Sequence, residues 1–288
     1  MYSSRHQPNW RGGPQWSRAR QDVTVNYIEV ADVRVGFERR GHGPPLLLLH
    51  GLPGDGRLWR HQLDDLSDEF MVIAWDAPGC GRSADPVDPY GTSEVAQCLA
   101  GFIELLELER PHLLGLSWGS GVALELYRIA PTVARSLVLA SGYAGWAGSL
   151  PSDAVAQRLD AYLTAARTPP QEALRSWGSG LFSPTASVDL VEEVLAICSD
   201  FHPDMLAALA RSFAETDPLS VLPTIAVPTL VLHGEADTRS PLSVGKALHA
   251  AITGSKLAVL AGVGHASNVQ APLAFNAEVR RFLRSVPA

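Results

Sequence analysis

The sequence predicts an α/β fold: a mostly parallel, eight-stranded sheet with helices on both faces and a block of helices inserted late in the chain. Three observations predict it. Short β-branched or leucine-rich runs alternate with helical patterns from Val23 to Ala140, and such alternation builds a parallel sheet covered on both sides. The alternation lapses between about Tyr143 and Ser220, where helical stretches follow one another with no convincing strand. It resumes at Thr229. With 288 residues, 46% hydrophobic and 18% charged, the chain can fill one large core without a disulfide scaffold.

Val23–Val30 and Val33–Glu38 read as an antiparallel hairpin across a tight Ala-Asp step. Gly41, Gly43, Pro44 and Pro45 introduce the apolar run Leu46–His50, a buried strand. A helix over Arg57–Leu66, a strand over Met71–Trp75 and a helix over Thr92–Leu108, capped by Thr92 or Ser93, come next. The strand His112–Leu116 runs straight into a helix over Gly119–Ala130, which Pro131 stops, and Ser136–Ala140 is the following strand. In the helical block, Thr168-Pro169-Pro170 and Ser183-Pro184 mark the divisions. Thr229–His233, a helix at Pro241–Ile252, the strand Lys256–Leu260 and a helix at Pro272–Arg284 complete the pattern. The organisation that follows is a sheet core from residues 22–142 and 221–288, with 143–220 as an insertion in it. Residues 1–21, polar and aperiodic, read as a flexible tail, and they lack the apolar stretch of a secretory signal.

Composition narrows the function classes. A net charge of −7 argues against nucleic acid or an anionic membrane surface as the partner. The longest fully apolar run, Leu46–Leu49, is far short of the roughly 20 residues of a membrane span. Cys80, Cys98 and Cys198 are too widely spaced for a metal knuckle or a redox pair and read as reduced thiols, which points to the cytoplasm. No metal motif, dinucleotide fingerprint or phosphate loop is present, so no cofactor is expected and the partner is a small-molecule substrate.

The sharpest motif is Gly115-Leu116-Ser117-Trp118-Gly119, set where a strand gives way to a helix. A serine on so sharp a turn is strained, and glycines two positions either side remove the clashes it would create. Its hydroxyl needs a base. Of nine histidines, His265 is the candidate, because Gly262-Val263-Gly264-His265 lies between the last strand and the last helix. Asp237, in His233-Gly234-Glu235-Ala236-Asp237, lies on the loop after the penultimate strand and is the carboxylate expected to hold the imidazole, with Glu235 as its competitor. His233 is expected to support the site. The order Ser117, Asp237, His265 differs from the chymotrypsin and subtilisin orders. His50-Gly51-Leu52-Pro53-Gly54 follows the first buried strand, and the backbone N–H groups of Leu52 and Trp118 are the expected oxyanion donors.

These motifs, together with Asp76-Ala-Pro-Gly-Cys-Gly-Arg-Ser83 as a supporting turn, resemble the α/β-hydrolase superfamily over roughly residues 23–286. The resemblance implies that block 143–220 is a helical cap over the pocket. Ser117 stands where haloalkane dehalogenases and epoxide hydrolases carry aspartate. Proline iminopeptidases are similar at Ser117-Trp118-Gly119-Ser120 but show a glycine where this chain has Leu52, and another where it has Leu116. Enol-lactonases, cofactor-free haloperoxidase-type esterases and carbon–carbon bond hydrolases are closer in form. The implied function is a serine hydrolase acting through an acyl-enzyme on a small, uncharged, moderately hydrophobic ester or lactone. The alternatives are carbon–carbon bond hydrolysis, peptidase activity, or a weakly catalytic small-molecule receptor. Leu52, Trp118, Trp146 and Trp177 are the expected substrate contacts, with Trp118 as a flat wall beside the nucleophile.

Overall fold

The computed structural model describes residues 24–87 and 90–287, without the side chains of Gln171, Arg175, Ser176, Trp177 and Ser179. The tail assigned to residues 1–21 and the side chain of Trp177 lie outside the described residues. Eight strands form one sheet: β1 (Val25–Val30), β2 (Val33–Arg40), β3 (Pro45–Leu49), β4 (Met71–Trp75), β5 (His112–Leu116), β6 (Ser136–Ala140), β7 (Thr229–Gly234) and β8 (Lys256–Leu260). Their spatial order is β1-β2-β4-β3-β5-β6-β7-β8. The β1–β2 and β2–β4 pairs are antiparallel and the others parallel. The hairpin turns on Ala31 and Asp32, with φ of 44° and 66°, the pair of positive values that a two-residue turn needs to match strand twist.

The central strands are apolar on both faces because helices cover both. Leu47, Leu49, Leu113, Leu137 and Val231 face α2 (Thr92–Leu105), α3 (Trp118–Ile129) and α8 (Leu242–Ala251) in one cluster. Leu46, Leu48, Leu114, Val138 and Leu232 face α1 (Arg60–Leu66) and α10 (Pro272–Arg284) in another. This two-residue alternation within continuous apolar runs is what a sheet buried on both sides requires.

Three elements differ from the sequence reading. The helix expected over Arg57–Leu66 begins as a 3₁₀ turn, Gly56–Trp59, because the Asp55 carboxylate accepts the Arg57 N–H at 2.9 Å and caps it there. Helix α2 stops at Leu105, although the apolar pattern runs on to Leu108. Glu107 turns to a φ of 51°, its N–H returns to the Glu104 carbonyl, and the Leu108 N–H returns to Ile103. That is a Schellman stop, which keeps the next apolar residue packed after the helix has ended. A short helix, α9 (Ser267–Gln270), precedes Pro272.

Between β6 and β7 the chain folds into α4 (Ser152–Ala165), α5 (Pro170–Trp177), α6 (Val188–Cys198) and α7 (Pro203–Glu215). Leu174, Phe182, Val194 and Cys198 from this stretch join Leu58, Ala266 and Val269 in a third apolar cluster. The insertion therefore sits on the loops that follow β3 and β8, at the carboxyl edge of the sheet. Among the described residues, no helix is long and apolar enough to cross a membrane, and the three cysteines are free and buried.

Candidate active site

Ser117 is the single residue between β5 and α3, with φ 55° and ψ −115°. A non-glycine residue held there is strained, and the neighbours hold it. Its N–H donates to the Ala140 carbonyl at 2.8 Å, and its own carbonyl accepts the Ser120 N–H at 3.0 Å and the Ser120 hydroxyl at 2.5 Å. A Cβ on Gly115 would stand 2.3 Å from the Gly119 carbonyl oxygen, and one on Gly119 would stand 2.2 Å from that of Leu49. Both glycines are therefore steric requirements of this turn. The residue stands at the N-terminus of α3, where the helix dipole favours negative charge.

Asp237 lies in the loop after β7 and is 5% exposed. One of its oxygens, Oδ1, accepts the backbone N–H groups of Arg239 and Ser240 at 2.9 and 2.8 Å. The other, Oδ2, accepts from His265 Nδ1 at 2.8 Å. Burial pushes the Asp237 pKa up, but the facing His265, its hydrogen bond and the Ser240 N–H outweigh burial and hold the carboxyl below its ordinary value. The group stays ionised at neutral pH. With Nδ1–H given to Asp237, His265 presents a bare Nε2. Ser117 and His265 line the same cleft. Glu235 is exposed and accepts the Gly262 N–H at 3.0 Å instead. Fully buried His233 donates Nε2–H to the Ser240 carbonyl at 2.7 Å, bracing the acid loop.

His50 is fully buried and lies in the loop after β3. Ala77 N–H donates to its Nε2 at 3.0 Å, so Nδ1 carries the proton and donates to the Gly51 carbonyl at 2.9 Å. In a trans peptide the N–H points opposite to the C=O, so Leu52 N–H is directed away from His50. The loop abuts the serine: a Cβ on Gly51 would lie 3.5 Å from Ser117 Cβ. Asp76 braces it from behind, accepting Gly56 N–H at 2.8 Å and pairing with Arg82, which also pairs with Glu38. This is the supporting turn read from Asp76–Ser83.

The cleft is lined by no Asp, Glu, Lys or Arg side chain. Leu52 and Leu116 line it from the core, and Leu181, Val194 and Cys198 from the insertion. Trp118 and Trp146 do not. The Trp118 indole is 2% exposed and packs 5.8 Å from the His50 ring, because α3 is buried around its first turns and draws that side chain into the core. Trp146 packs against Tyr162 and Phe213 at 5.0 and 5.5 Å, contacts internal to the insertion, and does not line the cleft. The supporting roles of Ser120 and Ser240 escaped the sequence reading. Of these, only Ser240 carried a signal, an Asp-x-x-Ser turn in which the carboxylate reaches its own backbone.

Burial holds three histidines neutral. The pKa values of His50 and His233 are lowered by desolvation, and that of His112, hydrogen-bonded to the Ser136 hydroxyl at 2.7 Å, falls to about 4 for the same reason. The unfolded chain takes these protons near pH 6.5 and the native one only lower. Stability is therefore complete above that value and lost as pH falls. For His112 alone the loss between pH 7.5 and 5 is about 2 kcal/mol. Urea midpoints at the two pH values should show it, and His112→Asn should flatten the dependence.

Residues 46–278 match the model of the alpha/beta hydrolase family. The chain is 30% identical over 283 residues to an uncharacterized protein of Mycobacterium tuberculosis, a match that covers 90% of this chain and 81% of that one. A thermophilic esterase from Thermogutta terrifontis superposes with a TM-score of 0.84 at 27% identity, covering 92% of this chain and 100% of the other. A hydrolase from Pseudomonas aeruginosa superposes with a TM-score of 0.81 at 30% identity, covering 90% and 98%. Sheet order, strained serine turn and matched sequence agree, and the chain belongs to the alpha/beta hydrolase family.

Proposed function

We propose that this hydrolase is a serine esterase or lactonase that acts on small, uncharged, moderately hydrophobic substrates through an acyl-enzyme. The observation that carries the reading is the buried Asp237–His265 pair opening on the same cleft as Ser117. In this reading His265 Nε2 takes the Ser117 proton as Oγ attacks the substrate carbonyl carbon. The N–H groups of Leu52 and Trp118 receive the oxyanion. Trp118 opens α3, so its N–H is one of those a helix leaves without an intrahelical acceptor. His265 then returns the proton to the leaving alkoxide, and water attacks the acyl-serine with His265 again as base. The ionised Asp237 stabilises the imidazolium formed in each step. The helical insertion acts as the cap, supplying the apolar wall of the pocket. Similarity to the Thermogutta esterase supports ester chemistry.

The test of the nucleophile is mass spectrometry after treatment with diethyl p-nitrophenyl phosphate. A stoichiometric diethylphosphoryl adduct on the Ser117 peptide, lost in His265→Ala, is expected, and labelling elsewhere refutes the assignment. The cleft also predicts substrate preference. Each buried methylene should favour transition-state binding by about 0.8 kcal/mol until the pocket is full. Across p-nitrophenyl acyl esters, kcat/KM should therefore rise and then fall with chain length, and dicarboxylate half-esters of matched length should be poor substrates. A preference for the charged series overturns the apolar-pocket reading.

A further inference from the structure

Tyr162 belongs to α4 of the insertion, and its ring is buried edge-on against Trp146. Its hydroxyl reaches across to the core and donates to the Leu52 carbonyl at 2.7 Å. Arg239 Nη2 donates to the same hydroxyl at 3.1 Å, while the Arg239 backbone N–H holds Asp237 Oδ1. One phenol thus ties together the insertion, the loop after β3 and the acid loop. A cationic donor on the phenol oxygen polarises its O–H and strengthens the bond that it makes to the carbonyl.

The consequence lies in the two peptide planes that flank the Leu52 α-carbon. The plane on its N-terminal side carries Leu52 N–H and is pinned from the core, through His50 and the Gly51 carbonyl. The plane on its C-terminal side is pinned from the insertion, through Tyr162 and the Leu52 carbonyl. The next residue, Pro53, has no N–H to donate, and its carbonyl accepts only the weak thiol donor of Cys198 at 3.4 Å. Losing the Tyr162 bond frees the second plane to turn about the Leu52 α-carbon and leaves the Leu52 N–H held from the core side alone.

We infer that Tyr162 is a positioning residue for the Leu52 N–H, through which the seated insertion sets the oxyanion donor. The inference rests on the acyl-transfer reading above. A donor held by the insertion contributes to transition-state binding only when the insertion is in place, so the hydroxyl acts on the chemical step and not on substrate capture.

Tyr162→Phe keeps the ring and deletes only the oxygen. With p-nitrophenyl butyrate, kcat is expected to fall about ten- to hundredfold, less than or equal to the loss of a whole oxyanion donor, with KM within about twofold. Phenylboronic acid, whose boron accepts a Ser117 Oγ lone pair and leaves an oxygen in the oxyanion position, should inhibit more weakly by a similar factor. Butyramide, a trigonal ground-state mimic, should bind unchanged. An unchanged kcat, a rise in KM alone, or equal weakening of boronate and amide overturns the inference and leaves the hydroxyl as a seat for the insertion. Ser117→Ala is run alongside. If it is inactive, failure of the Phe variant to respond counts against Tyr162 alone. If it retains turnover, the serine reading falls and the inference falls with it.

Discussion

Ser117→Ala is expected to reduce kcat for p-nitrophenyl esters by a factor on the order of 10⁶, the loss that follows removal of a serine or histidine that act as one unit. The fold should survive. The strained φ at this position is imposed by the Ala140, Gly115, Gly119 and Ser120 contacts of the turn and not by the hydroxyl. Alanine fits the same backbone, and near-ultraviolet circular dichroism should match the parent. His265→Ala should cost a comparable factor, and the double variant no more than either, because a base without a nucleophile to deprotonate contributes nothing further. Turnover within a few-fold of the parent in either single variant would falsify the assignment.

Asp237→Asn should cost about 10⁴ in kcat, by analogy with the same change in a serine protease, and the structure supplies the reason. Two backbone N–H groups, from Arg239 and Ser240, point at Oδ1. Both donate, so only an oxygen can stand there, and the amide of the variant must turn its NH₂ toward His265. His265 Nδ1 then becomes the acceptor, Nε2 carries the proton, and the imidazole has no lone pair to offer Ser117. The loss is one of tautomer, with the geometry retained, so KM should change little. Glu235→Gln is the control. That side chain is exposed and bonded to Gly262 N–H, and its kcat should stay within about twofold. A larger loss from Glu235→Gln than from Asp237→Asn would show that the acid is misassigned.

The sequence carried the fold because a sheet buried on both faces leaves a strong local trace. Leu46–Leu49 could be read as a strand from its own residues, and the strand His112–Leu116 from its abrupt passage into a helix. The serine turn was legible for a related reason: Gly115, Ser117 and Gly119 are demanded by sterics within one turn, and local sterics write themselves into adjacent residues. The ends of elements were less legible. Leu108 continues the apolar pattern of α2, but the helix stops at Leu105, since burial of a side chain does not require helical backbone beneath it.

What the sequence by itself determined was the set of groups brought to one edge of the sheet. Strand order along the chain, with each loop following a parallel strand, puts Ser117, Asp237, His265 and the Gly51–Leu52 loop there whatever the details. Only the tertiary structure decided which groups touch. Whether Asp237 or Glu235 meets the imidazole depends on a loop folding back on its own carboxylate. Whether Trp118 faces the cleft or the core depends on the packing around α3. That Tyr162 reaches Leu52, 110 residues away, depends on how the insertion sits on the sheet. Periodicity and spacing report interactions between residues a few positions apart, and these choices are made by contacts between distant segments, whose partners no local pattern records.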